Sequence, residues 1–424
     1  MASNTDGTVK EPVNREPDTT DLISSFLTPS KSNGSSKSQL VAYDRNHGPI
    51  QHLSATKHTL TIQNDSSFAP KSNSVPSNLS TTLSISDLKT EFTQHSVTCA
   101  LQCAGNRRHE MRDRLKEVSG IDWGDGAVMN AVWTGPLLRD VLQRVGVVVK
   151  AGETGTTGYD GVHVQFECNA TKVQDDDWYG GSIPLGVAMD PKREVMLALK
   201  MNYSPLPPRH GHPLRTIIPG MIGARSVKWL DTITLSAQES QNFYQQHDYK
   251  ILPPEATWPE KAESLGLWEK GRVPPMMDVK INSVVAVPGA DEKEIRRDQD
   301  GMLTLKGYAI PGGADGPVVN VHVSLDKGET WHEARILDDG DENTTTTYSG
   351  VGAGDGKVRV EKGSLKFSWV LWEARVRADP AEDVSVWSKA VDAGGNTQED
   401  LEGSWNLRGV GFNAVEGRRM IRIV

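Results

Sequence analysis

Apolar positions along the chain fall into two different periods. Between about 83 and 240, short apolar runs alternate with helical spacing. Leu137, Leu138, Val141, Leu142 and Val145 share one helical face, with Pro136 near the first turn and Gly146 at the exit. This predicts a mixed α and β section. After 276 the period shortens to two. Val321, Val323 and Leu325 alternate with polar residues ahead of the turn Asp326-Lys327-Gly328, Leu365, Phe367 and Trp369 alternate again, and so do Val384 and Val386 before the Gly-rich turn at Asp392. That spacing predicts a β-sandwich. Between the two sections, ILPPEATWPEKAESLGLWEKGRVPPMM carries two Pro-Pro pairs and no sustained period, as in a linker. Residues 1–20 are polar and charged, PSKSNGSSKS at 29–38 is Ser-rich, and KSNSVPSNLSTT at 71–82 reads as a surface insertion. The expected organisation is a disordered N-terminus over 1–20, a first domain over 21–252, a linker over 253–275 and an all-β domain over 276–424.

Composition adds limits to this picture. The 424 residues, 37% of them hydrophobic, suffice for two large domains with cores of their own. A net charge of −9 and a pI near 5.7 exclude nonspecific attraction to nucleic acid or an anionic membrane, so any basic cluster must be local. No stretch reaches the ~18 uninterrupted apolar residues of a membrane helix. Three cysteines, Cys99, Cys103 and Cys168, are few and odd in number, which points to a reducing compartment rather than a disulfide framework. The N-terminus lacks an apolar signal core and is too acidic for a mitochondrial presequence, and the final Arg-Ile-Val is not the peroxisomal Ser-Lys-Leu. The expectation is an intracellular, cytoplasmic protein.

Three segments carry chemistry. In VTCALQCAGNRRHEM, residues 97–111, Cys103 precedes Arg107 and Arg108, and adjacent guanidiniums stabilise a thiolate of the kind a nucleophile or soft-metal ligand needs. A buried structural cysteine fits the same spacing, and Cys99 with Cys103 lacks the second ligand pair of a zinc site. In RHGHPLRTIIPGMIGARSVKW, residues 209–229, His210, Arg215, Arg225 and Lys228 surround glycines, an arrangement that suits a phosphate or, equally, a turn with solvated charges. In YDRNHGP, residues 43–49, Arg45, Asn46 and His47 precede a Gly-Pro turn.

Taken in order, R-N-H-G-P, Q-C-A-G-N-R-R, H-G-x-P-L-R and P-G-x-I-G-A-R-S-V-K-W-L resemble the motifs of the eukaryotic sulfite oxidases and of the molybdenum domain of assimilatory nitrate reductases. The likeness runs from about residue 20 to 410. It implies an α+β protein: a mixed α/β molybdopterin-binding domain of the sulfite oxidase type, followed by an all-β immunoglobulin-like sandwich that mediates homodimerisation. It implies one molybdenum cofactor (Mo-molybdopterin) per chain, with Cys103 as the metal's thiolate ligand. The cofactor-holding positions fall on Tyr43, Asp44, Arg45, Asn46, His47, His210, Arg215, Ser226, Val227 and Lys228. Arg45, Arg108 and Arg408 (in SWNLRGV) match the arginines that bind sulfite and sulfate, Tyr249 (in HDYKILPP) the tyrosine beside the reacting oxygen, and Trp123 (in GIDWGDG) a pocket-wall tryptophan whose plainer role is core packing. Nitrate reductases typically carry Asn and Met at the positions of Tyr249 and Arg408. The implied activity is oxidation of sulfite to sulfate, with a nitrate-reducing molybdenum domain and a catalytically silent oxyanion-binding protein as the alternatives. Without His-Pro-Gly-Gly, C-x-x-C-H or GxGxxG, no haem, flavin or NAD site is encoded, so electrons are expected to pass to oxygen or to a separate cytochrome.

Overall fold

The computed structural model of the chain describes residues 12–28, 30–32, 38–66, 68, 75–148, 161–269, 271–337, 346–347, 357–358 and 365–424. Two main sheets build the first domain. One runs in the order Tyr179–Pro184, His163–Cys168, Thr232–Ser236, Thr59–Asn64, Ser80–Ser84, antiparallel except where Thr232–Ser236 lies parallel to Thr59–Asn64. Alternate residues Val164 and Phe166, Ile233 and Leu235, and Leu60 and Ile62 point into one core. Helix Leu138–Arg144 presses Leu138, Val141 and Leu142 into the same core and leaves through Gly146 at φ 100°, as its spacing predicts. The other sheet is built on the eight-residue antiparallel pairing of His95–Gln102 with Val128–Gly135. Both strands are buried over nearly their whole length, so they show apolar runs without alternation.

The C-terminal domain is one curled sheet of eight strands: Asn282–Val287, Met302–Ile310, Val370–Arg377, His332–Ile336, Val318–Ser324, Ala381–Asp392, Gly417–Ile423 and Glu294–Ile295. His332–Ile336 pairs on both sides, and the sheet curls until Asn282–Val287 packs across Ala381–Asp392, with Ser283 bonded to Ser388 at 2.9 Å. Leu305, Val321, Val323, Trp372, Val386 and Ile421 fill the space between. The alternation at Leu365, Phe367 and Trp369 has another cause than a strand, which begins only at Val370. These side chains plug the junction between the domains: the Phe367 carbonyl accepts the Ala100 N–H at 2.8 Å, and Trp369 Nε1 donates to the Phe26 carbonyl at 2.7 Å.

Several polar stretches are more ordered than their composition predicts. The disorder expected over 1–20 does not hold for 12–20, while 1–11 lie outside the described residues. Asn14–Arg15 pairs antiparallel with Asp44–Arg45, and the Glu16 carboxylate accepts the N–H groups of Gly124 and Gly126 at 2.9 and 2.6 Å. Polar side chains here bind backbone groups instead of water. In the supposed insertion 71–82, Val75 and Leu79 join the main core and the strand Ser80–Ser84 begins, with 71–74 outside the described residues. Within 29–38, Ser30–Ser32 pairs with Ser38–Leu40, and the remainder lies outside them as well. The linker holds helix Pro259–Ser264, and its Ala262 and Leu267 pack with Trp405, Leu407 and Phe412. Through that contact the chain beyond 400 doubles back onto the first domain and carries Arg408 with it.

Candidate active site

Strand His95–Gln102 delivers Cys103 to the wall of a cleft. Tyr43, Arg45, Asn46, His47, His210, Arg215, Ser226, Lys228 and Tyr249 line the same cleft, so most of the residues singled out by motif converge there from four separate segments. Arg108, Arg408, Asp44, Val227 and Trp123 stand outside that lining. Trp123 packs in the apolar cluster that contains Cys103 and Tyr43, which is its plainer role.

The Cys103 backbone N–H donates to the Ala127 carbonyl at 2.9 Å, and the side chain is buried. Burial pushes the thiol up, and Arg108 draws it back only in part. Sequence adjacency predicted Arg107 and Arg108 beside this thiol, and the fold leaves only Arg108 of that pair, with Arg45 acting on it from another segment. Arg107, in the left-handed region at φ 63°, turns toward the other domain, where Nη1 donates to Asn282 Oδ1 at 2.7 Å and to the Ala414 carbonyl at 3.1 Å. Arg108 stays behind Cys103, its Nε on the Gly409 carbonyl at 3.0 Å and Nη1 on that of Ile121 at 2.7 Å. A β-carbon at Gly105 or Gly120 would come within 2.6 or 2.7 Å of this guanidinium, so the side chain occupies space that only glycine leaves.

The other two arginines are held largely by partners outside the cofactor motifs. Arg45 Nη1 donates to Asn14 Oδ1 at 3.2 Å and to Gln174 Oε1 at 3.0 Å, and its Nη2 meets His47 Nδ1 at 2.8 Å. Arg408 is paired through Nη2 with the Asp248 carboxylate and through Nε with the Asp248 carbonyl at 3.3 Å. Asp248 directly precedes Tyr249, so the third arginine carries its own counter-ion. Nothing in the pattern of residues marks Asn14, Gln174 or Asp248 beforehand.

On the opposite wall the polar groups are arranged around unpartnered donors. Lys228 Nζ donates to the carbonyls of Arg45 and Arg209, both at 3.1 Å, and to Asn46 Oδ1, which uses all three ammonium hydrogens. With its oxygen taken, Asn46 leaves its buried Nδ2 without a hydrogen-bond partner among the described residues, and His210 Nε2, 3.7 Å from Asp44 Oδ1, makes no hydrogen bond either. Burial, followed by Arg215, pushes Lys228 down to about 7 against the pull of Asp44, and burial holds His210 well below its usual range, hence neutral. Asp44 anchors the cluster by accepting from Arg209 Nη1 at 2.8 Å and by ion pairing with Arg15, whose Nε stands 2.9 Å from the same oxygen without hydrogen-bond geometry. Arg215 is fixed by the carbonyls of His210 (3.1 Å) and Ser226 (3.0 Å). Val227, one residue on, faces the apolar core, and its carbonyl accepts the Thr216 N–H. At Gly223 a β-carbon would sit 2.5 Å from the Tyr43 hydroxyl, so glycine keeps this wall open.

A buried orphan amide N–H on Asn46, an orphan imidazole nitrogen on His210, fixed guanidiniums and a thiol together suit an anionic, amide-edged group that carries a thiophilic metal. Among the described residues no group of three or more His, Cys, Asp or Glu side chains converges to hold a bare ion, so a metal bound by Cys103 needs ligands of its own.

Comparison with known proteins agrees with that donor set. Residues 47–244 match the oxidoreductase molybdopterin binding domain, and 273–416 match the Mo-co oxidoreductase dimerisation domain. Sulfite oxidase of Arabidopsis thaliana is 37% identical over 98% of this chain and 93% of its own length. The chain belongs to the sulfite oxidase family. The mitochondrial sulfite oxidase of Drosophila melanogaster is 34% identical over 96% of the chain, which spans only 61% of that longer protein, and a nitrate reductase is among the relatives too. The fold of the sulfite oxidase family extends to the sulfane dehydrogenase SoxCD of Paracoccus pantotrophus, with a TM-score of 0.62 at 22% identity, covering 88% of this chain and 78% of that one.

Proposed function

We propose that this chain oxidises sulfite to sulfate in the cleft at Cys103, with a molybdenum-pterin cofactor. The observation that carries the reading is the meeting of Cys103, Arg45 and Tyr249 in one cleft, with Arg108 and Arg408 close behind. The cofactor supplies the oxygen-atom transfer and the two-electron redox change. Cys103 holds the metal, while Asn46 Nδ2, His210 Nε2 and Arg215 meet the polar edge and phosphate of the pterin. Asp44 and Lys228 act one step back by fixing these groups.

Arg45, Arg108 and Arg408 bind the substrate dianion and the sulfate product. Sulfite offers acceptors on every side, and guanidiniums offer only donors, so the match is strongest for a dianion in a site that excludes water. Tyr249 and Arg408 favour sulfite over nitrate, since nitrate has one charge and gains less from three guanidiniums. Burial keeps the Tyr249 phenol well above its usual range and therefore protonated. Electrons pass on to oxygen or to a separate cytochrome, two chains pair through the dimerisation domain, and three buried free cysteines suit a reducing cytoplasm.

Purified, molybdenum-loaded protein is expected to reduce ferricyanide in a sulfite-dependent manner and to show no comparable turnover of nitrate with a reduced dye. Oxygen and cytochrome c in place of ferricyanide separate the two acceptors. Full metal loading without sulfite turnover would overturn the enzyme reading in favour of oxyanion binding. In the same assay Arg408→Met is expected to raise KM for sulfite roughly 10- to 100-fold with a smaller change in kcat, the loss of one or two charge-assisted contacts made equally before and during reaction. A purely kcat defect would show that Arg408 acts on the transition state instead.

A further inference from the structure

Two hydrogen bonds in series cross the cleft: Arg45 Nη2 to His47 Nδ1, and His47 Nε2 to the Tyr249 hydroxyl, each 2.8 Å long. A guanidinium has donors and no acceptor, so His47 Nδ1 accepts and carries no hydrogen. The imidazole is closed in, its centroid 3.9 Å from that of Tyr244 and 5.2 Å from that of Tyr179, on which it stacks. Burial, Arg45 and Lys228 all keep the ring from taking up a second proton. A neutral ring with a bare Nδ1 bears its one hydrogen on Nε2. That hydrogen occupies a lone pair of the Tyr249 oxygen, so the phenol's own hydrogen must point elsewhere. Among the described residues the Tyr249 hydroxyl has no other hydrogen-bond partner, and Tyr249 lines the cleft.

We propose that His47 is a positioning residue: by donating from Nε2 it fixes the Tyr249 hydroxyl as a hydrogen-bond donor aimed into the cleft. The inference rests on the placement of Tyr249 at the sulfite site argued above. With the hydroxyl so turned, Tyr249 joins Arg45, Arg108 and Arg408 in presenting hydrogens alone, and an oxyanion meets no lone pair on that side. The opposite tautomer would place a phenol lone pair against the anion. Arg45 thus acts twice, as an anion contact and as the group that selects the tautomer of its neighbour two residues on.

Two substitutions separate the two ends of the ring. His47→Gln places an amide near the Nε2 position and retains a donor for Tyr249. His47→Asn places one near the Nδ1 position, retains a partner for Arg45 and removes the donor. The expected result, per molybdenum bound, is that His47→Asn lowers kcat/KM for sulfite about tenfold or more and His47→Gln recovers most of that loss, the range spanned by one hydrogen bond to a charged or reacting group. In a Tyr249→Phe background His47→Asn should cause no further loss. A second readout needs no turnover: ¹⁵N shifts of histidine-labelled protein, with and without cofactor, should place the proton of His47 on Nε2, the signal being assigned by its disappearance in His47→Gln. A proton on Nδ1, or on both nitrogens, overturns the proposal. So does a full loss from His47→Asn on top of Tyr249→Phe, which would leave the role of Tyr249 standing. If Tyr249→Phe alone leaves sulfite oxidation unchanged, the placement of Tyr249 falls and the inference falls with it.

Discussion

Cys103→Ser is expected to abolish sulfite oxidation, by at least about a thousandfold in kcat or about 4 kcal/mol of transition-state stabilisation, while leaving the fold in place. The substitution exchanges one atom. The backbone bond from Cys103 to Ala127 is unaffected, and the stability cost is that of a hydroxyl placed among apolar neighbours, about 1–3 kcal/mol. What changes is the ligand. A thiolate is a soft donor suited to a metal that also takes dithiolene sulfur, and a serine hydroxyl is a hard donor that stays protonated near neutral pH. Turnover, molybdenum content and the thermal midpoint measured together separate loss of chemistry from loss of structure. Cys99→Ser is the control: Cys99 is buried in the strand that leads to the site, its thiol on the Ala100 carbonyl at 3.2 Å, and the variant should keep its turnover. More than a tenth of wild-type activity in Cys103→Ser, with normal metal content, would sink the assignment of Cys103 as the ligand.

The cleft was legible in the sequence where its residues sit in contiguous motifs. Arg45, Asn46 and His47 lie on one short segment, and His210, Arg215, Ser226 and Lys228 lie on the segment facing it. Adjacent residues share a motif without sharing a direction, and here motif reading ends. Arg107 and Arg108 part company because one backbone is left-handed, and Ser226 faces the cleft while Val227 faces the core. The N-terminal stretch was misread for a related reason. Composition does not separate a polar side chain that is hydrated from one such as Glu16 that caps two backbone N–H groups, because the partner lies more than a hundred residues away. In the C-terminal domain the period of two correctly marks Val318–Ser324 and Ala381–Asp392 but misleads at 365–369, where alternate burial comes from contact with the other domain.

Asp125→Ala should be the most destabilising of these changes, costing about 3–5 kcal/mol, the range for leaving a buried charge without its partner. Asp125 lies in the turn between Cys103 and strand Val128–Gly135 and accepts from Arg418 Nη1 at 2.6 Å, across the domain junction. Arg107 Nε stands 4.0 Å from the same carboxylate, and the Asp125 carbonyl accepts the Tyr308 hydroxyl at 2.6 Å. Two buried guanidiniums therefore lean on one carboxylate, and its removal leaves both uncompensated. Burial pushes Asp125 up, but Arg418, a hydrogen bond from Glu110 and Arg107 together outweigh it, and the net direction is down. Glu110 moves the other way, raised by burial and then by the charge of Asp125. A carboxyl lowered in the folded state stabilises above its unfolded value near 3.8 and loses that contribution as pH falls through the folded value. Urea unfolding across the acid range should therefore show the gap between wild type and Asp125→Ala narrowing as pH falls below about 4, and shrinking again as pH rises above 4.5 because Asp125 is itself one cause of the raised Glu110. Glu110 contributes the opposite slope, since a raised carboxyl makes folding less favourable as pH rises above 4.5, and Glu110→Gln should remove that slope without opening the gap. The junction also reaches the chemistry: Arg107 precedes Arg108, and the C-terminal segment that returns Arg408 holds the Ala414 carbonyl to which Arg107 donates. A folded Asp125→Ala protein should accordingly show a raised KM for sulfite as well as a lower unfolding midpoint. A stability loss below about 1 kcal/mol, the scale of an exposed ion pair, would mean that water reaches this junction and that the two domains are held by their other contacts without help from this ion pair.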